Sequence, residues 1–301
     1  MIIIHVMGGL GNQLYQYAMY LKLKSLGKQV KLDTKAYQMA DEDDREWRKL
    51  ELEWLEQLSY ETCTEEERIL FCDSSMKLAA RIRRKLFGRR DRTVKEEKTY
   101  MPEIFEMDNV YLYGYWACEK YYEDIIPQLQ RAIRFKTSTN EKNRLCMEQM
   151  KQENAVSIHV RRSDYLTVAD GKRYMGICTE AYYQMAIRYI YDHVENPVFY
   201  IFSDDVDYVR KHFTDKNMHI VDWNQGKDSL YDMQLMSCCK HNICANSTFS
   251  MWGARLNQHS DKVMIRPLHS DNYETDSVEE IQNNWKKWIL IDSEGSRMQN
   301  S

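Results

Sequence analysis

Val156, Ile158 and Val160 alternate along the chain like the inner face of a buried strand, and the run continues without a break into Arg161, Arg162, Ser163 and Asp164. Two adjacent guanidiniums at the carboxyl end of a strand are costly to hold beside a core unless an anion meets them. The planar fork of arginine matches phosphate oxygens two at a time. Strand carboxyl ends are also where open α/β sheets bind ligands. The plainer alternative is an internal ion pair, with Asp164 closing the loop onto one of the arginines.

A second group follows the apolar run 242–245. Asn246, Ser247, Thr248 and Phe249 open a helical pattern, and small hydroxyl residues there present O–H and backbone N–H groups to an anion. An ordinary N-cap by Asn246 or Ser247 is compatible with this, because a capping turn is itself an anion site. Just upstream, Ser229-Leu230-Tyr231-Asp232 has the Ser-x-x-Asp shape of a capping box. Asp232 alternatively offers a carboxylate to the N1–H and 2-amino group of a guanine. Asp205-Val206-Asp207 matches a DxD pattern that holds a divalent cation against a diphosphate. Acids in the first turn of a helix, behind a cap by Ser203 or Asp204, explain it without a metal.

These groups need strands and helices to position them. Ile2 to Val6 reads as a strand, Gly8-Gly9-Leu10-Gly11 as a turn, and Leu14 to Lys24 as a helix stopping at Gly27. Val30 to Asp33 then alternates like a second strand. Gly9 and Gly11 permit a tight turn and a close backbone approach to a ligand, beside the free N–H groups of a helix start. Asp33, about twenty residues on, gives the outline of a dinucleotide fingerprint, except that Leu14 stands at the third glycine position. Val110 to Trp116 reads as a strand and Glu119 to Ile133 as a helix. The polar helix Glu141 to Glu153 bridges two domains, 1–150 and 151–301. Strands at 155–160, 198–202, 218–222, 242–245 and 262–266 alternate with helical patterns, which predicts a parallel sheet covered on both faces. Val278 to Ile291 reads as a terminal helix packing back, its tryptophans in the core.

Composition bounds the rest. The 301 residues suffice for two domains, and 43% hydrophobic with 29% charged residues is globular. A net charge of −4 argues against a general nucleic-acid binder. No secretory leader pattern and no run long enough to span a membrane is visible. The 8 cysteines lack any CxxC pair and read as free thiols in a reducing cytoplasm. The variable, charged region 40–100 ends in a strongly basic run, 81–92. Such a run is a solvated helix face or, with Ile82, Leu86 and Phe87 interleaved, a weak anchor to anionic lipid at the inner face of the cytoplasmic membrane.

Four segments together resemble the bacterial α-1,2-fucosyltransferases of glycosyltransferase family 11: 8–18 (GGLGNQLYQYA), 114–116 (GYW) with 119–121, 159–165 (HVRRSDY), and 245–253 (ANSTFSMWG). The resemblance implies an α/β fold of two Rossmann-like domains facing a cleft, the GT-B type. GDP-fucose would lie on the C-terminal half, and a galactose-terminated glycan, lipid-linked or free, against the N-terminal half. Arg161 would grip the β-phosphate, with Arg162 beside it, and His159 would sit near the guanosine. Asp232 would read guanine, while Ser247, Thr248 and Phe249 would line the diphosphate and nucleoside pocket. Asn12 would face the reacting centre, and Asp164 or Asp170 would be candidates for a base. No metal is implied.

Two further readings stay open at this level. One is a nicotinamide or flavin oxidoreductase using Asp33. The other is a module that binds a GDP-sugar or glycan without turning it over.

Overall fold

The computed structural model describes residues 1–38, 49–162 and 171–298. The chain divides into two compact units, Met1–Arg134 and Phe135–Ser301. This places the polar helix α5 (Glu141–Gln152) inside the second unit rather than on the boundary. The reason is packing: Cys146 and Met150 of that helix join Tyr200 and Phe202 in one core cluster.

The first unit holds a four-stranded parallel sheet, order β2-β1-β4-β3. Its strands are β1 (Ile2–His5), β2 (Val30–Asp33), β3 (Thr93–Lys95) and β4 (Tyr111–Tyr113). Ile2, Ile3 and Ile4 are all fully buried, as expected for a parallel strand covered on both faces. Helix α1 (Leu10–Ser25) makes the crossover from β1 to β2. Helices α2 (Glu65–Cys72) and α3 (Leu78–Phe87) precede β3, and α4 (Ile126–Ala132) ends the unit. The helix predicted over 119–133 is in fact two 3₁₀ turns followed by α4. Pro127 starts α4, since proline suits the first helical turn and cannot sit further in.

The second unit holds a six-stranded parallel sheet, order β10-β9-β8-β5-β6-β7. Its strands are β5 (Asn154–Val160), β6 (Pro197–Ser203), β7 (Met218–Val221), β8 (His241–Ile243), β9 (Met264–Pro267) and β10 (Ile289–Ile291). Read from β7 and counted from β5, this is the 3-2-1-4-5-6 order of nucleotide-binding sheets, whose order reverses between β5 and β8. The helices are α6 (Glu180–His193), α7 (Val206–His212), α8 (Leu230–Cys238), α9 (Thr248–Leu256) and α10 (Val278–Asn284). The expected terminal helix stops at Asn284, and Ile289–Ile291 pairs with β9 as the sheet's edge instead. Trp285 and Trp288 are core, as read, and the Arg266 guanidinium lies 4.0 Å from the Trp285 ring centre.

Strand parity sorts β5 into two faces. Val156, Ile158 and Val160 join the cluster built with Tyr182, Tyr183 and Ala186 of α6. Ala155 joins the opposite cluster, with Leu235 and Met236 of α8. Side chains alternate, so His159 shares the α8 face. That division decides how the two arginines are used.

Candidate functional site

At the carboxyl end of β5, Arg161 and Arg162 turn to different tasks. Arg162 stacks on Tyr208 of α7, with its guanidinium carbon 3.8 Å from the ring centre, and its Nε pairs with Asp205 at 3.2 Å. Its backbone N–H donates to Asp204 Oδ1 at 2.9 Å. Arg162 is thereby held by the fold itself, on the face opposite His159. Asp204 also approaches the Arg161 Nε at 3.3 Å, so one carboxylate clamps the start of the loop. The helix cap forecast for Ser203 or Asp204 is made by Asp205, which accepts from the Tyr208 N–H at 3.1 Å. This accounts for Asp205 without a metal.

Arg161 lies on the His159 side. His159 is buried, and its carbonyl accepts from the Tyr183 hydroxyl at 2.9 Å. Burial, then the nearby Arg161 charge, push its imidazole down to about 3, so it is neutral at ordinary pH. Its Nδ1 is buried without a hydrogen-bond partner among the described residues. Phe249 closes over the ring at a centroid distance of 6.0 Å. The sheet reversal thus brings the 159–162 and 246–249 segments together at the switch point.

The start of α9 is fixed from behind. Asn246 Nδ2 donates to the Tyr174 and Ser270 carbonyls, at 3.1 and 3.3 Å, and its own N–H reaches Cys178 Sγ at 3.3 Å. Ser247 occupies the N-cap but makes no side-chain cap bond. Its hydroxyl and the first-turn amides are therefore not tied into a capping bond between them. Asp232 is not part of a capping box either, because Ser229 has helical dihedrals and makes no cap bond. Asp232 instead accepts from Asn224 Nδ2 at 2.8 Å, and Asn224 is paired amide to amide with Asn143, both bonds being 2.9 Å. Burial raises the Asp232 carboxyl to about 7, although the Asn224 bond pulls it the other way. Asn143, Asn224 and Tyr183 are supporting residues that sequence reasoning missed, as none lies in a motif. Asp204 was read as a cap candidate, and its pairing with Arg161 and the Arg162 N–H was not foreseen.

Helices α8 and α9 approach closely at Gly253, where an added Cβ would meet Met236 Cβ at 2.7 Å. Gly253→Ala should cost about 1–3 kcal/mol by overpacking. A lowered urea midpoint with unchanged slope would show it. Pushing apart the helices that carry Asp232 and Phe249 should also disturb the switch-point site.

In the first unit the glycine turn and the Gly114-Tyr115-Trp116 turn meet, because β1 neighbours β4. Buried Gln16 ties them, donating to the Gly114 carbonyl and accepting from the Met7 N–H, both at 3.1 Å. Gln13 donates to the Gly8 carbonyl at 2.8 Å and accepts from the N–H groups of Glu51 and Leu52. Gly8 has φ +79, and a Cβ there would strike Asn12 Nδ2 at 2.5 Å, so the half-buried Asn12 amide lies over the turn. Gly9 caps α1 and Gly11 is buried in its first turn. Trp116 sits at φ +57, unusual for a bulky residue, and the Glu96 carboxylate accepts from both the Tyr115 and Trp116 N–H groups.

Two expectations about this unit change. The first N–H of α1 is not offered to a ligand anion, because Glu51 Oε2 accepts from Leu10 at 2.7 Å. The dinucleotide fingerprint does not form: Leu14 is fully buried, and buried Asp33 accepts from the Tyr111 hydroxyl at 2.6 Å and the Lys35 N–H at 3.1 Å. A ribose hydroxyl finds no idle carboxylate there. Asp164 and Asp170 lie outside the described residues. No helix among the described residues is long and apolar enough to cross a membrane.

Two parallel-sheet units, the second in the 3-2-1-4-5-6 order with Arg161 and the start of α9 at its switch point, define an α/β protein built of Rossmann-like sheets. The profile of glycosyl transferase family 11 matches residues 84–292, and the chain belongs to that family. It is 31% identical over 284 residues to the O-antigen biosynthesis glycosyltransferase WbnK of Escherichia coli, covering 86% of this chain and 91% of that protein. It is 27% identical over 295 residues to an α-1,2-colitosyltransferase of Escherichia coli, covering 97% and 99%. A galactoside α-(1,2)-fucosyltransferase 1 of Sus scrofa is 33% identical over 104 residues, 34% of this chain and 28% of that protein. The chain is a glycosyltransferase.

Proposed function

We propose that this glycosyltransferase moves L-fucose from GDP-fucose to the 2-hydroxyl of a terminal galactose on a glycan, with inversion at C1. The observation that carries the reading is the switch point of the second unit. Arg161, the uncapped start of α9 and the raised carboxyl of Asp232 supply partners for a diphosphate and a guanine. In the transfer the acceptor O2 bonds to C1 as the C1–O bond to the β-phosphate breaks. Negative charge grows on the departing GDP, where Arg161 and the α9 amides meet it. The acceptor proton leaves to a carboxylate, Asp164 or Asp170, or late to the phosphate. Asn12 serves the acceptor side, and no metal takes part.

A second donor is favoured by the colitosyltransferase relative, which matches across 97% of this chain. Colitose is fucose without the 3-hydroxyl, so the same phosphate and guanine contacts would serve it. The test is GDP release in EDTA from GDP-fucose and from GDP-colitose, with and without galactose-terminated oligosaccharides. Acceptor-dependent release from GDP-fucose, with an α-1,2 linkage in the product, is the expected result. Release from GDP-colitose alone would move the assignment to the second donor. GDP binding with no release under any acceptor would leave a non-catalytic module.

A further inference from the structure

Helix α3 (Leu78–Phe87) faces the wrong way for an ordinary amphipathic helix. Its apolar stripe, Leu78, Ile82 and Leu86 at four-residue spacing, is 70%, 51% and 68% exposed, and Phe87 is 76% exposed. No residue of the helix is buried. The side turned to the body is held by arginines. Arg83 pairs with the buried carboxylate of Asp73, and Arg84 donates to the carbonyls of Asp73 at 3.0 Å and Ser75 at 2.7 Å. Asp73 also accepts from the Arg90 N–H at 2.8 Å, which fixes the exit of the helix. Charged groups that would normally point to water thus anchor the helix inward, and the leucines are left outward.

The cations that remain outside border that stripe. Arg81 precedes Ile82 and Lys85 precedes Leu86, and Lys77, Arg89 and Arg90 are likewise exposed at the two ends. From Met76 to Arg90 the sequence contains no acidic residue. A helix with leucine and phenylalanine on its outer face and lysine and arginine along the edge matches an anionic bilayer in both respects. Its apolar side chains enter the acyl boundary, and its cations meet the headgroups. A soluble protein partner would have to supply an apolar groove and an acidic rim together. A bilayer supplies both without any such match.

We propose that α3 is an in-plane anchor that docks this protein on anionic lipid membrane. The inference is independent of the donor and acceptor assigned above. The test is co-sedimentation of the full chain with phosphatidylcholine vesicles and with vesicles half phosphatidylglycerol. Binding to the anionic vesicles should be at least about tenfold tighter and should weaken with added salt. Ile82→Ser with Leu86→Ser should weaken it about tenfold or more, as should Arg81→Gln with Lys85→Gln. All four side chains are exposed, so an unchanged circular dichroism spectrum and melting temperature are expected. Absence of vesicle binding by the wild type, or equal binding to neutral and anionic vesicles, would overturn the proposal. So would wild-type binding by the serine variant. Concentration-dependent self-association lost in that variant, without vesicle binding, would assign the face to a second copy of the chain.

Discussion

Replacing Arg161 with alanine should slow sugar transfer by about 10²–10³-fold, the usual loss when one preplaced donor to a developing anion is removed. The argument is positional. Arg161 follows His159 on the α8 face of the sheet, and Phe249 at the start of α9 lies against the His159 ring at 6.0 Å. A phosphate bound at the start of α9 would therefore lie on the side of the sheet to which Arg161 belongs. In the transfer proposed above, charge on the β-phosphate grows during the reaction, so turnover should suffer more than GDP affinity. Arg161→Lys keeps the charge but loses the fork, and should fall between wild type and alanine. The competing view is that Arg161 only pairs with Asp204, at 3.3 Å. Asp204→Asn separates the two, since it removes that pairing while leaving an acceptor for the Arg162 N–H. A structural role predicts equal damage from Asp204→Asn and Arg161→Ala. Turnover in Arg161→Ala close to wild type, measured at saturating donor, would remove the residue from the chemistry. The Arg161 and Asp204 side chains are only 26% and 18% exposed, so the alanine variant should also melt somewhat lower, and its turnover is to be compared below that melting temperature.

The sequence made the second sheet legible because its strands are short apolar runs separated by helical periods, the signal that survives without tertiary information. Each of the five strands read there is present, displaced by a residue or two. The strand order was not legible in those runs, and it is the reversal between β5 and β8 that brings 159–162 beside 246–249. What failed was context. Ile289–Ile291 looks like the last turn of a helix until β9 is present to pair with it. Residues 119–133 have helical periodicity, but Pro127 divides them. The capping box at Ser229 and the anion site at Leu10 were sound local readings, and tertiary partners overrode both. A 3₁₀ turn (Gly226–Ser229) runs into α8, and Glu51, remote in sequence, takes the Leu10 amide. The adjacent arginines show the same limit. Their equivalence in sequence is broken by strand parity, which sends Arg162 to Tyr208 and Arg161 to the His159 face. Basic run 81–92 was legible as charge with apolar residues between, but not which side faces out, because that depends on Asp73.

Asp232→Asn should separate nucleotide recognition from stability, moving them in opposite directions. The carboxylate is raised to about 7 by burial, against an unfolded value of about 3.9. Between those values the folded chain binds a proton that the unfolded chain has lost, so stability falls as pH rises from about 4 to about 7. Removing the titrating group should therefore stabilise the folded state at pH 8, on the order of 2–4 kcal/mol, with no gain below pH 4. Asn224 still finds an acceptor in the variant. Guanine recognition should move the other way. An ionised Asp232 can accept from N1–H and the 2-amino group together, and losing a charged hydrogen-bond partner weakens binding by about 1.5–3 kcal/mol, or about 10–100-fold. The wild type should then prefer GDP to the inosine analogue, which lacks the 2-amino group, and the variant should not. Wild-type affinity for GDP should also fall about tenfold per pH unit below about 7, because the acid form presents an O–H where an acceptor is needed. His159 does not confuse this profile, being neutral down to about 3. Calorimetric titration of both nucleotides from pH 5.5 to 8, with thermal melts over the same range, checks the whole set. A flat pH profile with equal affinity for the two nucleotides would take Asp232 out of the base pocket. A variant no more stable than wild type at pH 8 would instead mean that the buried carboxylate is solvated in the free protein.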